Sequence, residues 1–141
     1  MSAHSGKTAI VTGASTGIGR ASAEALARAG FTVFGTSRRV TGNGPSQVSM
    51  LTCNVTDDEA VNALVSTVLS QTGRIDVLVN NAGIGLLGGA EESSISQVQA
   101  LFDVNLFGVM RVTNAVLPSM RRRGQGRIIN ISSVLGLLPA P

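Results

Sequence analysis

Short apolar runs alternate along the chain with longer amphipathic segments. Continuous apolar runs that are too short for helices predict buried strands over residues 7–12, 31–36, 48–53, 75–79 and 127–131. An alanine-rich segment and two segments with apolar residues at i, i+3 and i+4 predict helices over residues 18–29, 57–71 and 96–120. Buried strands joined by helical crossovers form parallel sheets. The pattern therefore predicts an α/β fold, with helices on each side of one sheet.

Individual residues refine two of the predicted helices. Thr56 is expected to cap the N-terminus of the second helix, with Glu59 three residues on as its capping-box partner. Pro118 is expected to weaken the last turn of the third helix, because proline has no N–H group to donate. Val104 and Val112 lie off the main apolar stripe of that helix, so its apolar surface extends over more than one side and needs a second partner.

The composition is that of a folded chain rather than a disordered one. The 141 residues suffice for one domain with one core, 43% of them are hydrophobic and 13% are charged. The formal net charge is +3, and four of the eleven basic residues are Arg121, Arg122, Arg123 and Arg127. These arginines are either a solvated helix end or a patch for nucleic acid. The chain has no Trp or Tyr for base stacking and no second basic cluster, so we expect no nucleic-acid partner.

Cysteine and histidine usage narrows the chemistry further. Cys53 is the only cysteine, which excludes an internal disulfide and fits a reducing compartment. His4 is the only histidine and lies in the N-terminal tail, so neither a zinc site nor a hydrolytic triad is expected. The tail lacks the features of a signal peptide, and no apolar run reaches the roughly 18 residues that span a bilayer. The expectation is a cytoplasmic protein without a membrane segment.

A glycine-rich turn joins the first predicted strand to the first predicted helix. It contains Gly13, Gly17 and Gly19, together with the intervening Ser15, Thr16 and Ile18. Such a turn places backbone N–H groups and the positive end of a helix against a phosphate. The alternative is that the glycines only permit close packing. Placement within the first strand–helix–strand unit favours a dinucleotide site.

The residues after the second predicted strand indicate which dinucleotide is bound. A site that prefers NAD usually has an acid here for the ribose 2′-hydroxyl, whereas this chain has Ser37 and Arg38. An arginine can bind a 2′-phosphate through its guanidinium group, so the sequence predicts NADP. The alternative is that the arginine is a solvated loop charge.

Amide and hydroxyl groups follow the remaining strands. Asn54 and Val55 come after the third strand, where the asparagine either hydrogen-bonds a ligand or forms an Asx turn into the next helix. Asn80 and Asn81 end the fourth strand and could connect neighbouring strands, while the small Ala82 and Gly83 would let a ribose come close.

Two further polar positions are candidates for catalysis. Asn105 lies within the apolar stripe of the third helix, where a buried amide must find hydrogen-bond partners. Its partner could be a neighbouring backbone group. Ser132 and Ser133 end the fifth strand, on the edge of the sheet where ligands of open α/β folds lie. Without the other motifs, they would be ordinary strand-end serines.

Together these motifs resemble the classical short-chain dehydrogenase/reductase family, over residues 7–138. The string from Asp76 to Gly83, which ends in Asn80-Asn81-Ala82-Gly83, is the most specific match. The resemblance implies a doubly wound, Rossmann-type fold, and hydride transfer between a nicotinamide cofactor and a carbonyl or alcohol substrate. It also implies that Asn54 and Val55 flank the adenine, that Asn105 holds a water in a proton relay and that Ser133 orients the substrate carbonyl. The family commonly dimerises through the third helix, so a homo-oligomer is expected.

The chain departs from the family pattern at its C-terminal end. The family's proton-donating Tyr and its Lys lie beyond the serine, but this chain has no Tyr and its only lysine is Lys7. We therefore expect the N-terminal portion of a reductase, C-terminally incomplete, with the remaining segment supplied elsewhere; an end at residues 139–141, in an apparent loop, would suit a cleavage site. The alternative is a non-catalytic module that binds NADP or a partner protein.

Overall fold

A five-stranded parallel sheet forms the centre of the structure. The computed structural model describes residues 6–40, 42, 44–88 and 90–136, so His4 and residues 139–141 lie outside it. The order of strands across the sheet is β3-β2-β1-β4-β5, and every neighbouring pair is parallel. The strands are β1 (Thr8–Val11), β2 (Thr32–Ser37), β3 (Val48–Thr52), β4 (Val77–Asn80) and β5 (Arg127–Asn130). The predicted parallel α/β fold is confirmed.

Helices connect the strands and cover both faces of the sheet. They are α1 (Gly17–Arg28), α2 (Asp58–Thr72), α3 (Ile95–Phe102) and α4 (Val109–Arg123), with a π-helical segment (Asp103–Gly108) between the last two. Short 3₁₀ turns lie at Ala90–Glu92 and Val134–Gly136. The long helix expected over residues 96–120 is present as one helical stretch, Ile95–Arg123, and the π-helical segment within it was not expected.

Two details of the helix ends also differ from expectation. Asp57 rather than Thr56 caps α2, since its Oδ1 accepts hydrogen bonds from the N–H groups of Glu59 at 2.9 Å and Ala60 at 3.1 Å. The carboxylate of Asp57 offers a charged acceptor to the positive helix end. Helix α4 continues through Pro118 to Arg123 and ends at Gly124, which has a φ of 66°. Burial of Val116 and Met120 holds this last turn in place.

The alternation of side chains along β1 builds two apolar layers. Ala9 and Val11 point towards α1, where they pack with Ala23 and Val33. Ile10 belongs to the opposite layer, which α2 and α4 cover with residues including Val61, Leu64, Val65, Val68, Val112, Val116 and Met120. Val112 is thus fully buried in the core, so the expectation that it marks a second, external apolar side of the helix was wrong.

One helical stretch is long and apolar enough to cross a membrane by length and composition alone, Ile95–Arg123. This differs from the expectation, which rested on the length of uninterrupted apolar runs. The mean hydropathy of a helical stretch can be high even where polar residues such as Asn105 and Arg111 interrupt the apolar run. Core helices of water-soluble proteins meet the same criterion, so the finding is weak evidence for a membrane.

A buried ion cluster joins three elements at the amino ends of the strands. Asp76 is 8% exposed and precedes β4. Its carboxylate accepts hydrogen bonds from the Thr8 N–H at 2.8 Å, from Arg74 at 2.7 and 2.8 Å, and from Arg123 at 2.6 Å. Burial alone would raise the pKa of Asp76, but the hydrogen bonds from Arg74, Thr8 and Arg123 outweigh it and hold that pKa well below its ordinary range. The cluster fastens the starts of β1 and β4 to the end of α4.

We expect Asp76→Asn to destabilise the protein by about 3–5 kcal/mol at neutral pH. The substitution removes the negative charge with which Arg74 and Arg123 pair, and both arginines lose their counter-ion. Since the folded-state pKa lies below the unfolded one, the contribution of Asp76 is present above a pH of about 4 and declines as the pH falls further. The difference between wild type and variant in urea unfolding should therefore shrink in acid.

Asp58→Asn is the matched control for this prediction. Its side chain is 79% exposed and pairs with Arg111 at 2.9 Å, so we expect its loss to cost no more than about 1 kcal/mol. Equal destabilisation by the two variants would contradict the assigned role of Asp76.

Candidate functional site

A cleft lies at the carboxyl ends of β1 and β4. On one side of these strands the chain proceeds to β2, and on the other to β5, so the sheet order reverses here. Ligands of open parallel sheets bind at such switch points. The cleft has a volume of about 290 Å³. Its lining comprises the predicted Gly13, Ser15, Thr16, Ser37, Arg38, Asn54, Val55, Asn81, Ala82 and Gly83, and also Thr36, Cys53, Ile84 and Val104.

Some predicted site residues lie beside the cleft rather than in its lining. Gly17 and Ile18 form the first turn of α1, where the Ile18 side chain is 64% exposed. Gly19 is buried behind the glycine turn. Asn105 lies in the π-helical segment, and Ser133 follows the carboxyl end of β5, on the same edge of the sheet as the cleft.

The amide of Asn81 holds the glycine turn against β4. Its Nδ2 donates to the carbonyl oxygens of Thr12 at 3.1 Å and Gly13 at 3.0 Å. In return, the Thr12 hydroxyl oxygen accepts from the N–H groups of Asn81 and Ala82, both at 3.0 Å. Thr12 was predicted as the last residue of a strand, without a role in the site. The feature of the sequence that could have pointed to this role is a hydroxyl group directly before the glycine turn.

Two of the three glycines in the turn serve close packing. A Cβ at Gly19 would overlap the Gly13 carbonyl oxygen and the Nδ2 of Asn81, and a Cβ at Gly13 would lie 2.9 Å from the Cα of Ala82. Both Gly13 and Gly17 also have positive φ angles, of 65° and 56°. For Gly13 and Gly19 the packing alternative therefore holds.

Gly17 has different surroundings, which suit an anion. Nothing lies within 4 Å of a Cβ built on it, so no neighbouring group packs against this position. The side chain of Thr16 does not cap α1, and the first turn contains no acidic residue. The N–H groups of that turn therefore remain available, and the helix dipole favours negative charge there. This geometry fits a phosphate.

The second wall of the cleft follows β2 and β3. Arg38 is exposed, and the Ser37 hydroxyl oxygen accepts a hydrogen bond from the N–H of Arg39 at 3.4 Å. Asn54 forms the Asx turn that was one of its two predicted roles. Its Oδ1 accepts a hydrogen bond from the Thr56 N–H at 3.2 Å. Asn54 lines the cleft as well, so the turn does not remove it from the site.

Cys53 lines this wall and was not predicted as a site residue. Burial raises the pKa of its thiol, and the nearby charge of Asp57 raises it further. The thiol is therefore neutral at physiological pH and acts as a small apolar group in the wall. The feature of the sequence that could have pointed to Cys53 is its position as the last residue of the predicted third strand.

Asparagine side chains also connect the two strands beyond the switch point. The Nδ2 of Asn80 donates to the Oδ1 of Asn130 at 2.9 Å and to the Thr113 hydroxyl at 3.1 Å. The predicted connection between neighbouring strands is confirmed, and Asn80 in addition fastens β4 to α4.

Asn105 is exposed, so the expectation of a buried amide was wrong. The π-helical turn directs it out of the apolar stripe and towards the loop after β4. There its Oδ1 accepts from the Ile84 N–H at 2.9 Å, and its Nδ2 donates to the Ile84 carbonyl at 2.8 Å. The backbone partner expected as an alternative is therefore present, and Asn105 positions a residue of the cleft wall.

Ser133 is exposed in the segment that follows β5, and its carbonyl oxygen accepts the N–H of Gly136 at 3.0 Å. Among the described residues, no group of three or more His, Cys, Asp and Glu side chains could hold a metal ion. The chemistry that the described residues offer at the cleft is thus that of amides, hydroxyls and one arginine.

Comparisons with known proteins agree with this geometry. The family model for short chain dehydrogenases matches residues 7–141. A 3-ketodihydrosphingosine reductase from Bacteroides thetaiotaomicron is 42% identical over 132 residues, covering 94% of this chain and 49% of the relative. A 3-oxoacyl-[acyl-carrier-protein] reductase from Vibrio cholerae is 39% identical over 146 residues, covering 94% and 57%. The chain thus spans about half the length of the curated relatives it matches.

Solved structures show the same relationship. A short-chain dehydrogenase from Streptomyces avermitilis superposes with a TM-score of 0.86 at 44% identity, over 94% of this chain and 51% of the other. A metagenomic short-chain oxidoreductase in complex with NADP superposes with a TM-score of 0.87 at 37% identity, over 97% and 66%. The fold is therefore the Rossmann-type fold of these oxidoreductases, and the chain belongs to the short-chain dehydrogenase family.

Proposed function

We propose that residues 1–141 form the dinucleotide-binding domain of an NADP(H)-dependent oxidoreductase that interconverts a carbonyl and an alcohol. One observation carries the choice of cofactor. Arg38 is the only charged residue in the cleft lining of the described chain, and that lining contains no acid. A 2′-phosphate adds negative charge, which an arginine binds and a carboxylate would repel. The neighbour that binds NADP supports the same choice.

The rest of the lining distributes over the remaining parts of such a cofactor. We assign the pyrophosphate to the open N-terminus of α1 at Gly17, and the 2′-phosphate to Ser37 and Arg38. Asn54 and Val55 would flank the adenine, and residues 81–83 would contact the second ribose. When bound, the nicotinamide would supply or accept the hydride. Ser15, Thr16, Ile18 and the packing glycines Gly13 and Gly19 would shape the turn around the phosphates.

The catalytic contribution of this chain is proposed to be partial. Ser133 would orient the substrate carbonyl, and Asn105 would take part in a proton relay through a water. A proton donor must also neutralise the forming alkoxide. The 141 residues contain no Tyr, and Lys7 precedes β1 at the edge of the sheet opposite the cleft. We therefore propose that the donor comes from a further segment.

The alternative to catalysis is a non-catalytic role. In that case the chain binds NADP or a partner protein without turnover. One measurement distinguishes the two functions. The complete protein should oxidise NADPH in the presence of a carbonyl substrate if it is an enzyme, and should not if it only binds.

We further propose that the complete protein is a homo-oligomer. The outward side of α3, the π-helical segment and α4 exposes Phe102, Leu106, Phe107 and Met110, each by 45–51%, and Ile95 by 74%. Such a continuous apolar surface on a helix favours a partner. Val104 and Val112, from which the sequence predicted this surface, do not form it. Val104 lines the cleft and Val112 is buried in the core.

In sedimentation velocity at micromolar concentration, we expect the complete protein to be oligomeric and the double variant Phe102→Glu/Met110→Glu to be monomeric, because two charges cannot be buried unpaired at the interface. Leu87→Glu is the matched control. Its side chain is 97% exposed in the loop after β4, so it should leave the oligomer intact. A monomeric wild type would refute the assembly.

Arg38→Ala should weaken NADP(H) binding by roughly tenfold while leaving NAD(H) binding nearly unchanged. A hydrogen bond to a charged group contributes about 1.5–3 kcal/mol, and the exposure of Arg38 places it at the lower end. Titration calorimetry with both cofactors measures the difference. Arg28→Ala, at the C-terminal end of α1, is the control that should change neither affinity. An equal loss for both cofactors would rule out the selecting role of Arg38.

In the complete protein, Ser133→Ala should lower kcat/KM for a ketone or aldehyde. By analogy with an oxyanion-hole donor, the lost hydrogen bond costs about 2.7–4 kcal/mol in the transition state. NADPH oxidation over a panel of ketones and aldehydes measures the effect, and Ser132→Ala should retain activity. The isolated residues 1–141 should reduce none of these substrates. Robust turnover by them would show that the proton donor lies within the chain.

A further inference from the structure

Arg111 forms a brace across the π-helical segment. Its Nη1 donates to the Oδ1 of Asp103 at 2.7 Å and to the carbonyl oxygen of the same residue at 3.4 Å. Its Nε donates to the Oδ1 of Asp58, at the start of α2, at 2.9 Å. Asp103 is the first residue of the segment, and Arg111 lies three residues beyond its last residue, Gly108. One side chain therefore joins the two ends of the irregular turn.

The braced segment touches the cleft at two places. Asn105 makes its two hydrogen bonds to the backbone of Ile84, which lines the cleft together with Val104. Gly108 packs so closely on the opposite wall that a Cβ there would lie 2.8 Å from the Cγ2 of Val55. A change in the winding of residues 103–108 would therefore move groups on both walls.

The contact between Arg111 and Asp103 can determine the winding of this segment, that is, the number of residues in each helical turn. A π-helical turn holds more residues than an α-helical turn, and these turns are frequent at functional sites. A change of one residue in register rotates a helical side chain by about 100°. If the segment took up regular α-helical winding, Asn105 would turn away from Ile84. Gly108 would also lose its close fit against Val55.

The two ion pairs of Arg111 differ in what they can hold. Asp58 is 79% exposed on its side chain and belongs to another helix, so its pair with Arg111 contributes little. Asp103 is 41% exposed, pairs at the shorter distance and accepts at two of its oxygens. The contact within the helix is thus the one that fixes the winding.

We propose that Arg111 is a positioning residue, which holds the π-helical segment through Asp103 and thereby keeps Asn105 in place against Ile84 in the cleft wall. This inference rests on the proposed function, because it takes from it the role of Asn105. Arg111 itself touches neither cofactor nor substrate.

Hydrogen exchange tests the brace without reference to catalysis. In the complete protein, Arg111→Gln should speed amide exchange over residues 104–108 and at Ile84, with the strands of the sheet unchanged. Asp58→Asn is the matched control, because it keeps the contact between Arg111 and Asp103, and it should exchange like the wild type. Unchanged exchange in Arg111→Gln, or equal acceleration in Asp58→Asn, would overturn the brace.

A double-mutant cycle tests the positioning role. Arg111→Gln should lower kcat by about fivefold, as expected for an ion pair of this exposure, with an NADPH dissociation constant within about twofold of wild type. Arg111→Gln/Asn105→Ala should be no slower than Asn105→Ala, because Arg111 acts through Asn105. Arg111→Lys, which can still reach Asp103, should recover part of the activity.

The outcomes separate the two proposals. Additive losses in the double variant would show that Arg111 does not act through Asn105, and would overturn the positioning role. A normal kcat in Asn105→Ala would overturn both the positioning role and the relay role proposed for Asn105, whereas the exchange measurement would still decide whether the brace exists. Absence of turnover in the wild-type complete protein would refute the proposed enzyme.

Discussion

The contact between Asn81 and the turn after β1 is the constraint on which the cleft depends. It holds the carboxyl ends of β1 and β4 together at the point where the sheet order reverses. The close fit leaves no room for a side chain at Gly13 or Gly19. The same hydrogen bonds fix the backbone of the glycine turn, whose residues Gly13, Ser15 and Thr16 line the cleft.

The parallel sheet was predictable because short apolar runs, too short for helices, alternate along the chain with amphipathic helical segments. The central strands β1 and β4 are buried along their whole length. The interruption of the long helix was not predictable in the same way. Apolar periodicity averages over several turns, so a single turn with one extra residue leaves the stripe visible on both sides of Asp103–Gly108. The cap of α2 at Asp57 rather than Thr56 is a choice between adjacent residues, which hydrogen-bond geometry decides.

The candidate site was predictable where a motif ties residue type to position, as in the glycine turn and the string from Asn80 to Gly83. Residues without a motif were missed. The cleft is lined or supported by four such residues, which lie at or just after the carboxyl ends of strands: Thr12, Thr36, Cys53 and Ile84. Their proximity depends on the order of the strands across the sheet, which no single segment of the sequence predicts. Arg111 was missed for a related reason. Its partner Asp58 becomes a neighbour only when α2 packs beside α4, and its contact with Asp103 spans the π-helical segment that the periodicity does not reveal.

The long connection between β1 and β4 has a consequence for the order of folding. Asn81 and Thr12, which close the clamp, are 69 residues apart in the chain. During synthesis, β1 can pair with β2 as soon as the first helix has formed, but its other edge must wait for β4. Contacts of such separation carry a large loop-closure cost and slow folding. The cleft is thus completed late, and the nascent chain exposes an unpaired edge of its central strand until then.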